Sequence, residues 1–125
     1  MSPLLSLRGL TRTFQVPHAP DLHILTGVDL DVEPGEHIAI VGRSGTGKST
    51  LLNILGLIDQ PTSGTYTLED QDATRLPEGR RARLRGATFG FVFQSFNLIE
   101  GLSTTENVAA PLLYDTGRSF WTRTA

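Results

Sequence analysis

The sequence predicts an α/β fold in which a strand buried on both faces runs through a glycine-rich loop into a helix with one apolar face. Three observations carry that prediction. Ile38-Ala39-Ile40-Val41 is a short continuous apolar run, the pattern of a central strand in a parallel sheet. Gly42-Arg43-Ser44-Gly45-Thr46-Gly47 is too rich in glycine for helix or strand. Leu51, Leu52, Ile54, Leu55 and Ile58 then recur at the spacing of a helix laid against the sheet.

From the N-terminus, Leu4 to Phe14 sets leucines among small and polar residues and reads as an extended segment ending at Gln15. Val16 to Asp21 carries two prolines and no periodicity, a loop into a second strand at about Ile24 to Val32. There Val28, Leu30 and Val32 alternate with Asp29, Asp31 and Glu33, so one face is wet. Pro34-Gly35 turns the chain into the central strand, and Pro61 to Gly64 ends the helix that follows the glycine loop. Thr65 to Leu68 returns as a strand. Glu78 to Arg85, entered through Pro77, predicts a short polar helix, and Phe89 to Phe93 a further strand closing at Gln94. Ser103 with Glu106 three positions on forms a capping box, starting a helix that Pro111 kinks or stops.

The 125 residues amount to one domain or part of one. With 19% charged and 38% hydrophobic residues the chain is neither disordered nor fibrous. Zero cysteines exclude disulfides, thiolate metal sites and cysteine nucleophiles, and leave the redox compartment open. A net charge of −2 provides no global field for nucleic acid or anionic lipid, so no nucleic-acid partner is expected. The apolar runs are far too short to cross a bilayer, and Arg8 interrupts any signal-peptide core, so the chain is expected in the cytoplasm. His18, His23 and His37 lack metal-ligand spacing, and Arg80, Arg81, Arg83 and Arg85 read as a solvated helix face.

Gly42 to Ser49 satisfies G-x-x-x-x-G-K-[ST] in the context that gives the motif meaning, after a buried strand and at the start of a helix. Such a loop turns its N–H groups and the positive end of the helix onto anionic phosphates. Lys48, the only lysine in the chain, adds a full charge at the β/γ bridge. The Ser49 hydroxyl is placed to ligate Mg²⁺, and Thr50 stands next in line for the α-phosphate. The alternative is a glycine turn with a solvated lysine.

Further segments accompany the loop: Leu25 to Leu30, Glu33 to Glu36, Ile40 to Gly56, Pro61 to Gly64, and Gly90 to Leu98. In this order, over about Leu4 to Tyr114, they resemble the first half of an ABC transporter ATP-binding subunit, within the lipoprotein-release and macrolide-export (LolD/MacB-like) branch. The resemblance implies a P-loop NTPase of the ABC type with an N-terminal β-rich subdomain. It implies ATP and Mg²⁺ as cofactors, bound by Gly42, Ser44, Gly45, Gly47, Lys48, Ser49 and Thr50. Phe14 matches the aromatic that stacks on adenine; a strand-end core phenylalanine is the equal alternative. Gln94 matches the glutamine that reaches Mg²⁺ or the attacking water and reports nucleotide state; a polar residue ending a strand is the alternative. Lys48 and Gln94 are thus the candidate catalytic residues, and Ser49 and Gln94 the candidate metal ligands. Phe96, Leu98, Ile99 and Leu102 make an apolar loop that folds onto the core or awaits a partner. In the family the Gln94–Leu102 segment docks a transmembrane permease subunit, the full-length subunit is a homodimer, and it sits peripherally on the cytoplasmic face of the inner membrane.

The chain departs from the family pattern after Gln94. No LSGGQ segment, no strand ending in Asp-Glu and no later switch histidine is present, and Leu112-Leu113-Tyr114-Asp115 is followed by Thr116 instead of Glu. Residues 115–125 read as a divergent tail, so the expectation is a single truncated nucleotide-binding domain over 1–125. By family it is an ATPase; alone, it is expected to bind ATP without turning it over, because phosphoryl transfer depends on positioned groups that are missing. Unpaired sheet edges would make it marginally stable and aggregation-prone. A non-enzymatic remnant and another small P-loop NTPase are the competing readings.

Overall fold

Four antiparallel strands organise the first part of the chain: β1 (Leu5–Phe14), β2 (Leu22–Val32), β3 (Ser63–Leu68) and β4 (Gln71–Asp72), in the spatial order β2-β1-β3-β4. The computed structural model describes residues 2–95 and 97–110, which fall into two units, Met1–Arg85 and Gly86–Ala125. Phe96, the stop at Pro111, the Leu112–Asp115 stretch and the tail over 115–125 lie outside the described residues.

β1 sits between its neighbours because its leucines complete cross-strand rows on the buried face. Leu7 lies opposite Leu30 on one side and Tyr66 on the other, and Leu5 opposite Val32 and Leu68. Leu7, Leu10 and Tyr66 are fully buried, each contributing about 1.5–3 kcal/mol by removal from water. Tyr66 also donates its hydroxyl to the Leu55 carbonyl at 2.7 Å, tying β3 to α1 (Lys48–Leu55). Burial raises the phenol above its ordinary value, so it stays a donor. The wet face of β2 is secured by Asp31, which accepts from Arg8 and Ser6, and by Asp29, which accepts from the Gly9 N–H. Gly64 explains how β3 comes so close to β1: a Cβ there would stand 2.5 Å from the Gly9 carbonyl oxygen.

Of the predicted apolar face, α1 buries Leu51 and Ile54, while Leu52 is 54% exposed. It ends earlier than the apolar pattern suggests. The chain turns left-handed at Leu57, which is buried, and Ile58 is left exposed. β4 escapes the sequence pattern because it is two polar residues long.

Two expected strands do not form. Ile38–Val41 and Phe89–Phe93 have no strand pairing, and Val41 and Val92 are almost wholly exposed, at 86% and 102%. An apolar run of this kind becomes a strand only when neighbours hydrogen-bond to it and cover it. Among the described residues no segment does so for either stretch. Phe89, Phe91 and Phe93 contact one another instead, the last two stacked with centroids 5.6 Å apart.

α2 (Glu78–Thr88) forms as predicted but is not simply a solvated basic face. Arg80 and Arg83 are exposed. Arg81, mostly buried, pairs with Glu78, and Arg85 donates to the Leu57 carbonyl at 2.7 Å. In the second unit α3 (Thr104–Ala109) begins with the expected capping box: Ser103 Oγ accepts from the Glu106 N–H at 3.2 Å, and Glu106 accepts from the Ser103 N–H at 2.7 Å.

Candidate functional site

The glycine loop is bent, not extended. Gly45 and Gly47 take left-handed backbone with φ of 81° and 97°, and the turn closes where the Thr46 N–H and hydroxyl both donate to the Arg43 carbonyl. Gly47 is the N-cap of α1, and its lack of a side chain has two consequences. A Cβ would press on β2, 2.9 Å from Ile24 Cγ2 and 3.0 Å from Leu25 Cδ2, so glycine lets the helix start directly against the sheet. No capping side chain competes for the first helical N–H groups, which remain available at Lys48, Ser49 and Thr50.

Lys48 folds back across the loop, and its ammonium donates to the Gly42 carbonyl. The ammonium is held beside the loop at an exposed position, on a residue that as a whole is half-buried. Ser49 is exposed beside it and Thr50 half-buried. The loop assembles Gly42, Ser44, Gly45, Gly47, Lys48, Ser49 and Thr50 around one helix start. Backbone N–H groups, an ammonium and the hydroxyls of Ser44, Ser49 and Thr50 make a donor set that suits a polyanion. Among the described residues there is no group of three or more His, Cys, Asp or Glu able to hold a metal ion.

Phe14 lies at the end of β1, opposite Leu22, and is 36% exposed. It lines a cleft of about 760 Å³ with Arg12, Asp59, Thr62, Arg75 and Arg81, whose walls include no residue of the Gly42–Thr50 loop. Two residues along, Arg12 pairs in register with Leu25, the residue on which Gly47 rests. Gln94 belongs to the second unit, exposed at the end of the Phe89–Phe93 segment. Nearby, Leu98, Ile99 and Leu102 are exposed at 68%, 52% and 41%. Asn107 of α3 holds this loop: its Oδ1 accepts from the Ile99 N–H at 2.8 Å and its Nδ2 donates to the Ser103 carbonyl at 2.9 Å. Sequence reasoning missed Asn107, and also Arg12 and Asp59, since nothing local marks a polar residue whose partners lie elsewhere in the chain.

The profile of the family described as ABC transporter matches residues 25–124. The chain belongs to the ABC transporter family. It is 50% identical over 113 residues to the macrolide export ATP-binding/permease protein MacB of Azoarcus sp. (strain BH72), covering 90% of this chain and 17% of that protein. It is 45% identical over 113 residues to the pyoverdine export ATP-binding/permease protein PvdT of Pseudomonas syringae pv. tomato, with the same coverage. Among solved structures, the cassette MJ0796 in a dimeric post-hydrolysis state bound to ADP and Pi superposes with a TM-score of 0.84 at 36% identity. A second dimeric structure of that cassette gives 0.85. Both alignments cover 92% of this chain and 49% of the other. This ABC chain thus spans about half the length of the solved cassettes it matches and about a sixth of its curated relatives. Among its described residues no helix is long and apolar enough to cross a membrane.

Proposed function

We propose that this chain is the nucleotide-binding part of an export-type ABC transporter, holding Mg·ATP on the Gly42–Thr50 loop. The observation that carries the reading is the closed glycine turn with the Lys48 ammonium folded over it at the start of α1. The Gly42 carbonyl is a neutral acceptor; the β- and γ-phosphates are charged ones, and exchanging the first for the second strengthens each ammonium hydrogen bond. The unpaired N–H groups of Lys48, Ser49 and Thr50 add to the positive end of α1 and orient the phosphate chain. Ser49 supplies a hydroxyl oxygen to Mg²⁺, which when bound neutralises phosphate charge. Phe14 offers a ring face to the adenine. Gln94, with an amide that both accepts and donates, serves the metal or the attacking water.

The Gln94–Leu102 segment docks a permease domain, its exposed leucines and isoleucine covered by an apolar face of that partner. Such a unit works as a dimer on the cytoplasmic face of the membrane. Residues 1–125 by themselves bind ATP without hydrolysing it, since the sequence holds no signature segment, no Asp-Glu pair after a strand and no later histidine. Isothermal titration of Mg·ATP into the chain and into Lys48→Ala tests this. Saturable heat that weakens at least about tenfold in the variant is expected, from the loss of charge-assisted hydrogen bonds. Equal binding by both proteins overturns the reading, and a preference for GTP favours a different P-loop NTPase.

A further inference from the structure

The ring of Phe14 is not free on both sides. The Arg12 guanidinium lies over it, 4.3 Å from the centroid. Arg12 is itself immobilised: its Nε donates to Asp59 Oδ2 at 2.9 Å and its Nη2 to Asp59 Oδ1 at 3.1 Å, a two-point grip that fixes the plane of the guanidinium. Both side chains are about three-quarters buried, with 24% and 28% of their surface exposed. The Asp59 carboxylate is fixed in turn by the Gln60 N–H at 2.8 Å. The strand end is stapled to the same segment, since the Thr62 N–H donates to the Thr11 carbonyl at 2.8 Å and the Thr13 N–H to Thr62 Oγ1 at 2.9 Å. A rigid stack of Asp59, Arg12 and Phe14 results, assembled from residues 47 positions apart in the chain.

We infer that Arg12, clamped by Asp59, is a positioning residue for the base of the bound nucleotide, covering one face of Phe14 and orienting the other toward a purine. The inference rests on the reading of Phe14 as the base-stacking residue and adds the device that sets the ring's orientation. A half-exposed phenylalanine at a strand end turns between rotamers, and binding a base would have to freeze it. The guanidinium removes that cost beforehand, by holding the ring through cation–π attraction in a single plane. Lysine cannot replace it, because an ammonium neither lies flat on the ring nor grips both carboxylate oxygens.

The test compares two ligands that share phosphates and differ in the base. Affinities of Mg·ATP and of magnesium tripolyphosphate are measured by titration for the intact chain and for Arg12→Met, Arg12→Lys, Asp59→Asn and Phe14→Ala. Arg12→Met is expected to weaken ATP about three- to tenfold and leave tripolyphosphate unchanged, with Arg12→Lys and Asp59→Asn showing the same base-dependent loss to a smaller degree. Phe14→Ala is expected to lower the ATP-to-tripolyphosphate ratio at least as far. A lowered ratio in Phe14→Ala with an unaltered ratio in all three Arg12 and Asp59 variants overturns the inference alone. An unaltered ratio in Phe14→Ala overturns the base-stacking reading and the inference with it. Parallel weakening of both ligands in the Arg12 variants assigns Arg12 to the fold and likewise overturns the inference.

Discussion

Replacing Gly47 by alanine should damage the chain far more than replacing Gly45, although both glycines occupy left-handed backbone in the same loop, with φ of 97° and 81°. The conformational cost is common to the two, about 1–2 kcal/mol for a residue with a Cβ. Their surroundings differ. A Cβ on Gly45 meets nothing within 4 Å, whereas one on Gly47 would stand 2.9 Å from Ile24 Cγ2, 3.0 Å from Leu25 Cδ2 and 3.2 Å from the Ile24 carbonyl oxygen. The Ile24 methyl is attached directly at Cβ and the carbonyl is part of β2, so neither yields without moving the strand or the helix start. Overpacking of this kind costs a further ~1–3 kcal/mol. Gly47→Ala is thus expected to lose about 2–5 kcal/mol against about 1–2 for Gly45→Ala. Urea unfolding followed by far-ultraviolet circular dichroism resolves the difference, because typical slopes of about 1–3 kcal/mol per molar place the Gly47→Ala midpoint clearly lower. Mg·ATP affinity should fall further in Gly47→Ala as well, since the displaced helix start carries Lys48. Matching midpoints for the two variants would refute the argument that the loop is moulded against β2.

Tyr66→Phe should cost about 1 kcal/mol, because the part-buried Leu55 carbonyl loses its donor, and amide exchange should accelerate at the C-terminal end of α1. Ser103→Ala should remove one half of the capping box and destabilise α3 locally by about 0.5–2 kcal/mol, read as faster exchange of the Glu106 amide. Stability should fall in acid. The Arg8 guanidinium and then the Ser6 hydroxyl hold Asp31 below the ordinary carboxylate range, the Thr74 hydroxyl and N–H lower Asp72, and the Ser103 N–H and then its hydroxyl lower Glu106. With folded values below unfolded ones, the unfolded chain takes up protons first. The stabilisation is therefore present above about pH 4 and lost as pH drops through the lowered values. Asp31→Asn should flatten that acid slope in a pH series of urea midpoints.

Features that depend on local pattern were legible from the sequence: the alternation of β2, the apolar spacing of α1, the glycine loop and the Ser103–Glu106 capping box all stand where their residues place them. The family and the class of fold followed from the order of these signals. What failed depended on neighbours. Ile38–Val41 and Phe89–Phe93 have the composition of strands, yet composition specifies what a flanking strand would cover and cannot supply one. Ile58 was assigned to the helix face because periodicity is blind to the left-handed turn at Leu57. The bend of the Gly42–Ser49 loop was readable because glycine's backbone freedom is a local property. Arg12 and Asp59 were not, because the clamp joins two ordinary-looking charges 47 positions apart, one on β1 and one in the connection between α1 and β3.

Lys48 is the only lysine in the chain, so protein labelled biosynthetically with lysine carrying carbon-13 at the ε position gives one side-chain signal to follow during titration with Mg·ATP. A saturable displacement of that signal, reproduced by tripolyphosphate and absent with adenosine, is the result predicted for an ammonium poised over a phosphate cradle. A signal that stays in place while nucleotide binds elsewhere, or in a folded chain that binds no nucleotide, would contradict it.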